Sequence, residues 1–113
     1  MKVDLLVKNG HVVTPSTILD NVGLGITEGK IVQIVNEANL PSAERVIDAS
    51  GCLVLPGFVD AHTHIRDPFF VEREDFETGS KAAVAGGVTT FFEMPGCIPT
   101  PIDQVSLDER IRL

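Results

Sequence analysis

Two histidines two positions apart, in the segment Asp60-Ala61-His62-Thr63-His64, are the residues of this sequence with the clearest chemical potential. Residues two apart on an extended strand share a face, so His62 and His64 are predicted to point the same way, with Asp60 one step lower. Two imidazoles that converge at the end of a strand can bind one divalent metal, given further ligands from elsewhere. The alternative is a chance His-x-His with one ring buried and the other solvated. The preceding Pro56-Gly57 and the apolar strand favour the metal.

Arg66 follows His64 by two positions and precedes Asp67. A guanidinium at the mouth of a metal pocket can hold an anionic substrate group, because its planar fork binds a carboxylate through two hydrogen bonds. The alternative is a solvated loop arginine that pairs with Asp67. The residues alone leave both interpretations open.

Other polar residues are weaker candidates. Glu93 ends a later strand and is expected either to support the metal ligands through hydrogen bonds or to serve packing. Cys97 is predicted to lie on a loop without a histidine partner, so it is not assigned as a nucleophile. No residue of this sequence is assigned a catalytic role. An acidic run is expected to decorate a loop and a helix N-terminus instead of binding a second metal; it comprises Glu72, Glu74, Asp75 and Glu77.

The elements that must position these residues change character near Leu55-Pro56-Gly57. Residues 1–55 contain short β-rich runs separated by turn signals, which predicts an antiparallel β-sandwich or half of one. Asn9-Gly10 predicts a two-residue hairpin turn, and Glu28-Gly29-Lys30 predicts a turn before the next strand. The polar stretch 36–44 is expected to be a loop.

Residues 56–113 follow a strand, helix, strand, helix order, which is typical of parallel βα units. The expected elements are a buried strand over 58–62, a loop over 63–73, a helix over 74–85, a strand over 88–93 and a helix from 103 to 113. Gly86-Gly87 is expected to end the first helix, and Ser106 is a candidate N-cap of the second. Because chemistry lies at the carboxyl ends of parallel strands, His62 and His64 are well placed.

Composition excludes several classes of protein. The chain has 9 Lys+Arg against 16 Asp+Glu, a net charge of -7, which argues against gripping nucleic acid or anionic lipid. No apolar stretch approaches the roughly 20 residues that span a bilayer. The two cysteines, Cys52 and Cys97, match no metal or redox spacing. We therefore expect a cytoplasmic protein with reduced thiols and with neither nucleic acid nor membrane as a partner.

The sequence resembles the amino-terminal part of the cyclic amidohydrolases, the family of dihydroorotase, allantoinase and hydantoinase. The matching motifs occur in the family's order and cover most of the chain from about Gly10 onward. They are residues 46–51, 54–64, 66–68, 74–79, 82–90 and 93–95.

This resemblance implies an α/β fold, in which a small β-sandwich segment precedes the first two βα units of a TIM-type (β/α)8 barrel. It implies that His62 and His64 bind the more buried of two metals, usually zinc, which activate water for attack on the amide carbonyl of a small cyclic amide or ureide. A carboxylated lysine, two further histidines and a late aspartate complete the family's site, and none of them is recognisable here. The complete enzyme is expected to be a homo-oligomer.

Arg66 makes the pattern similar to dihydroorotase, where this arginine grips the substrate carboxylate, and to many allantoinases. Typical hydantoinases lack it. Dihydroorotases carry Asn after Met-Pro, where this chain has Gly96, and the allantoinase pattern after Met-Pro is not met either. The run 74–79 favours allantoinase slightly.

Length limits what the chain can do alone, since a (β/α)8 barrel needs about 250 residues. We expect either a fragment or a truncated gene product with two βα units, inactive in isolation. A non-catalytic hydantoinase-like scaffold and a degenerate product are the alternatives. The presence of both His62 and His64 favours an enzyme.

Overall fold

The computed structural model describes residues 2–68, 70–94, 96 and 100–112. The chain forms two compact units, Met1–Pro56 and Gly57–Leu113. The boundary lies at the Pro56-Gly57 pair, where the sequence changes from short strands to alternating strands and helices. The architecture is sheet-rich in the first unit and mixes strands with helices in the second.

The described part of the first unit contains two sheets. A four-stranded sheet has the order β5-β4-β1-β6, and a three-stranded sheet has the order β3-β2-β7. Apolar side chains of the first unit are buried, among them Val3, Leu6, Val12 and Leu24. The strands are β1 (Lys2–Lys8), β2 (His11–Val13), β3 (Ile18–Leu19), β4 (Val22–Thr27), β5 (Lys30–Asn36), β6 (Ser42–Asp48) and β7 (Leu53–Val54), with a short 3-10 helix over Glu37–Asn39.

The pairing of these strands corrects two expectations. The sheets are mixed instead of antiparallel, because β1 pairs with β6 and β2 pairs with β7 in parallel. Asn9-Gly10 does not close a hairpin, since β1 and β2 belong to different sheets. Asn9 still has a positive φ of 63°, but its backbone N–H and side-chain amide are bound by Glu37 and Asp48 from later segments. The turn therefore redirects the chain from one sheet to the other.

The turn predicted at Glu28-Gly29-Lys30 is present, and it closes a β-hairpin. Strands β4 and β5 pair antiparallel, and Thr27 lies opposite Lys30. Glu28 and Gly29 have φ values of 50° and 72°, the left-handed pair that a tight hairpin with the right twist requires. The expected loop over 36–44 is shorter than predicted, because β6 begins at Ser42.

The second unit contains β8 (Phe58–Thr63), α1 (Phe76–Ala85), β9 (Val88–Glu93) and α2 (Gln104–Arg112), and β8 pairs with β9 in parallel. Asp75 caps α1: its carboxylate accepts the Thr78 N–H, while the Thr78 hydroxyl bonds back to the Asp75 N–H. Neither described helix is long and apolar enough to cross a membrane.

The cap of α2 differs from the prediction. Asp103 fills that position instead of Ser106, because the Asp103 carboxylate accepts the backbone N–H of Ser106 at 2.9 Å. The Ser106 hydroxyl in turn accepts the backbone N–H of Asp103 at 3.2 Å. Ser106 is therefore at N3, the last position of a reciprocal capping box that begins at Asp103, and a serine followed by a helix does not reveal this position by itself.

Strand β8 was expected to be buried, and this expectation is wrong for the described structure. Phe58 is 51% exposed and Val59 is 60% exposed. The described sheet of the second unit consists of β8 and β9, and the described helices leave these two side chains of β8 exposed. A continuous apolar strand is typical of parallel sheets that are covered on both faces.

Candidate metal and substrate site

The two histidines of strand β8 come together at its carboxyl end. His62 is in the strand and His64 lies one residue beyond it. Their Nε2 atoms are 3.3 Å apart, and the rings meet edge to face with centroids 5.1 Å apart. This convergence is the arrangement expected from residues two apart on extended backbone.

The end of strand β9 fixes the ring of His64. His64 Nδ1 lies 3.2 Å from the carbonyl oxygen of Met94, which can only accept a hydrogen bond. Nδ1 therefore carries the proton, and the Nε2 lone pair remains free to bind a metal. The backbone N–H of Met94 donates to the carbonyl of Thr63 at 2.8 Å. Both backbone groups of Met94 therefore contact the end of β8, one at Thr63 and one at His64.

The spacing of the two Nε2 atoms fits a shared metal ion. A tetrahedral zinc ion with Zn–N bonds of 2.0–2.1 Å has ligand nitrogens about 3.3–3.4 Å apart, which agrees with the observed 3.3 Å. In the described part of the chain, no group of three or more His, Cys, Asp or Glu side chains could hold a metal. His62 and His64 therefore supply two ligands, and any others must come from elsewhere.

Asp60 does not join the two imidazoles as expected from strict alternation. The pairing of β8 with β9 is irregular between Asp60 and Thr63, the interval that contains His62. Asp60 lines a pocket of about 200 Å³ beside α1 that neither histidine borders. Its carboxylate accepts the backbone N–H of His62 at 3.0 Å, so it contacts the histidine segment through the main chain.

Arg66 lies beside the ring of His64. A Cβ atom added to Gly96 would be 3.0 Å from His64 Nδ1 and 3.4 Å from Arg66 Nη1, so both groups border the same position. Arg66 is half-buried, and among the described residues its guanidinium has no hydrogen-bond or ion-pair partner. The ion pair with Asp67 considered from the sequence is not formed, because the Asp67 carboxylate instead accepts the N–H of Phe76.

Glu93 and Arg110 form a nearly buried ion pair at 3.0 Å behind the histidine segment, with side chains 17% and 11% exposed. Glu93 also accepts the backbone N–H of Ile65 at 2.7 Å. Sequence reasoning identified Glu93 as a candidate supporting residue and missed Arg110. An arginine in the last turn of a helix is common because its positive charge interacts favourably with the helix dipole. The sequence alone therefore does not indicate that Arg110 contacts the site.

The acidic run forms no metal site in the described structure. Glu77 pairs with Lys81, Glu72 pairs with Arg73, and Asp75 caps α1. Hydrogen bonds from the backbone and side chain of Thr78 lower the pKa of Asp75 below its ordinary value of 3.8. Cys97, predicted to lie on a loop, falls outside the described residues.

Sequence comparison relates the chain to enzymes of one family. Residues 45–90 match the family model described as "Amidohydrolase family". A dihydroorotase of Aquifex aeolicus (strain VF5) is 46% identical over 104 residues, which is 91% of this chain and 24% of the relative. An allantoinase of Escherichia coli O1:K1 is 43% identical over 113 residues, 96% of this chain and 23% of the relative.

Solved structures agree with this relationship. The L-hydantoinase (dihydropyrimidinase) of Arthrobacter aurescens superposes with a TM-score of 0.85 and 33% identity, over 97% of this chain and 24% of that chain. An N-acyl-D-glutamate deacylase of Bordetella bronchiseptica, solved with zinc and a phosphonate inhibitor, gives a TM-score of 0.63 and 31% identity, over 80% of this chain and 18% of that chain.

Residues 45–90 carry the family match, and the chain as a whole is similar to dihydroorotases, allantoinases and hydantoinases. It spans about a quarter of the length of the curated relatives it matches.

Proposed function

We propose that this chain is the amino-terminal portion of a metal-dependent hydrolase that opens the ring of a small cyclic amide or ureide, of the allantoinase or dihydroorotase type. The observation that carries the proposal is the 3.3 Å separation of His62 Nε2 and His64 Nε2 at the end of β8. Relatives of both types are similar over nearly the whole chain, which supports the class of reaction.

In this proposal His62 and His64 hold a divalent metal, one of two zinc ions in the complete enzyme. A metal at this position would polarise the amide carbonyl of the substrate and would lower the pKa of a water molecule that it binds toward neutral pH. The chain's own contribution is to orient the rings. Met94 fixes the tautomer of His64, and Asp60 holds the backbone N–H of His62.

Arg66 is proposed to bind an anionic group of the substrate. Its guanidinium is half-buried, has no partner among the described residues and borders the ring of His64. Such a group keeps its full hydrogen-bonding capacity for a carboxylate or a polarised ureide oxygen. The reaction is proposed to take place in the cytoplasm in a homo-oligomer of the complete enzyme.

Metal binding by this chain tests the proposal directly. Zinc titration of the 113-residue chain should show one site that depends on both histidines. His62→Ala and His64→Ala should each weaken binding by about tenfold or more, because each removes one of the two proposed side-chain ligands.

His11→Ala is the matched control, since His11 is an exposed histidine of the first unit whose ring contacts Asp20. This variant should bind zinc like the parent. Equal zinc affinity in the parent, His62→Ala and His64→Ala would refute the proposed metal site.

A further inference from the structure

We propose that Arg110 and Glu93 together are positioning residues that set the backbone of Ile65, Arg66 and Asp67, and so place the metal-binding and substrate-binding side chains relative to each other. The inference rests on the proposed function for what His64 and Arg66 bind. The geometry behind it stands independently of that assignment.

Arg110 holds the two carbonyl groups on either side of Arg66. Its Nη1 donates to the carbonyl of Asp67 at 2.6 Å, and its Nη2 lies 3.5 Å from the carbonyl of Ile65. The guanidinium also lies over the ring of Phe76, 5.5 Å from the centroid. A planar fork with five donors can serve several acceptors at once, which a lysine ammonium on a flexible stem cannot reproduce.

Glu93 holds the peptide that joins His64 to Ile65. Its Oε2 accepts the Ile65 N–H at 2.7 Å, while its Oε1 accepts from Arg110 at 3.0 Å. Both oxygens are therefore used, one on the main chain and one on the arginine. Because the pair is nearly buried, removal of either partner leaves the other with poor solvation.

The hydrogen bonds of Glu93 and Arg110 act on the two peptide groups between His64 and Arg66. The Ile65 N–H lies in the peptide after His64, and the Ile65 carbonyl lies in the peptide before Arg66. Fixing both planes limits the directions in which the two flanking side chains can leave the backbone. The side chain of Ile65 is 3% exposed, so it anchors this segment in the protein interior.

Amide hydrogen exchange and cobalt binding together test this inference on the 113-residue chain. In Glu93→Ala and Arg110→Ala, the Ile65 amide should exchange about tenfold faster than in the parent. The Phe58 and Gly86 amides, bonded to Gly87 and to the last turn of α1, should keep their protection. Cobalt affinity should fall by about tenfold, the lower end for loss of a group that orients metal ligands.

Two further variants separate positioning from general stability. Glu93→Gln retains an oxygen acceptor for the Ile65 N–H, so its Ile65 exchange rate should lie between those of the parent and Glu93→Ala. Glu77→Ala removes a carboxylate from the exposed pair with Lys81 and should leave both readouts unchanged.

Three results would overturn the inference. The first is an Ile65 amide that is as protected in Glu93→Ala and Arg110→Ala as it is in Glu77→Ala. The second is an equal loss of protection at Ile65, Phe58 and Gly86. The third is an Ile65 amide that already exchanges like a free peptide in the parent. A parent that binds no cobalt would count against the proposed metal site. It would leave the exchange result as an independent test of the positioning contacts.

Discussion

The Nδ1 atom of His64 lies 3.2 Å from the carbonyl oxygen of Met94, so the end of one parallel strand fixes the imidazole at the end of the next. This contact makes His64 the Nδ1–H tautomer when its ring is neutral, and its Nε2 is then an acceptor. His62 Nε2, at 3.3 Å, must be the donor of that pair. These two contacts therefore assign different neutral tautomers to His62 and His64.

This difference can be measured. In the metal-free chain, at a pH where both rings are neutral, ring nitrogen chemical shifts should show the proton on Nδ1 of His64 and on Nε2 of His62. Metal binding requires both Nε2 lone pairs, so zinc should move the His62 proton to Nδ1 and leave the His64 tautomer unchanged. The ring of His11 should not respond to zinc. The same tautomer for both rings before zinc would contradict the hydrogen-bond assignment.

Arg66 should be sensitive to the shape of its side chain as well as to its charge. In the complete enzyme, Arg66→Lys keeps the positive charge and loses the planar fork, and we expect a loss of about 1–3 kcal/mol in transition-state binding. Arg66→Ala should lose at least as much. The measurement is kcat/KM with an anionic substrate, and unchanged values for both variants would assign Arg66 to the protein surface.

Acid should weaken the start of α1 through Asp75. Hydrogen bonds from Thr78 lower the pKa of this carboxyl below 3.8, so Asp75 favours the folded state above that pH. Its contribution is lost as the pH falls through the lower, folded-state pKa. Asp75→Asn should be less stable than the parent at neutral pH, and the difference should shrink in acid.

Urea unfolding followed by circular dichroism at several pH values checks this prediction. Glu77→Gln is the control for loss of a charge in the same turn, since its partner is the Lys81 ammonium instead of a backbone N–H. A difference between Asp75→Asn and the parent that is constant down to pH 3 would contradict the role of the charged cap.

Gly57 should not tolerate a side chain. A Cβ atom there would lie 2.8 Å from the Cβ of Thr89 and closer still to the rest of that side chain. Gly57→Ala should therefore lower the free energy of unfolding by about 1–3 kcal/mol, the usual range for overpacking. Gly86→Ala is the matched control, because the nearest atom to its added Cβ is 3.5 Å away. Thermal unfolding of the two variants gives the comparison, and equal stabilities would contradict it.

The sequence predicted the features that depend on local geometry. Alternation along an extended strand was enough to bring His62 and His64 together, and the residue types of Glu28-Gly29-Lys30 were enough to place a turn. Asn9-Gly10 carries an equally strong local signal, but the partners of β1 and β2 lie far along the chain. A turn motif cannot state which strand its neighbours will pair with.

In the candidate site, too, features that depend on distant parts of the chain could not be predicted from the sequence. Asp60 fails strict alternation because of an irregularity in pairing with β9, which only the partner strand reveals. Arg110 lies more than 40 residues from the backbone that it holds. Its role depends on how α2 packs against the end of β8, and no spacing rule connects residues so distant. Phe58 and Val59 were expected to be buried, but their exposure depends on which elements cover the faces of β8.

The 113-residue chain should hydrolyse none of the substrates of its relatives. The described residues offer two metal ligands and no group of three that could hold a metal, so this part of the site lacks the further ligands. Neighbouring charged groups do not replace them, because Lys81 pairs with Glu77 and Glu93 is used by Ile65 and Arg110. Phe58 and Val59 of strand β8 are exposed, so water has access to the strand that carries the histidines.

Loss of substrate positioning alone can remove up to about 7–11 kcal/mol of catalysis. The measurement is hydrolysis of allantoin, dihydroorotate and a 5-substituted hydantoin by the purified chain with added zinc, manganese or cobalt. Rates should equal the metal-only blank. Turnover above the blank that disappears in His62→Ala and persists in His11→Ala would contradict this prediction. It would require an assembly of several chains that rebuilds the missing ligands around His62 and His64.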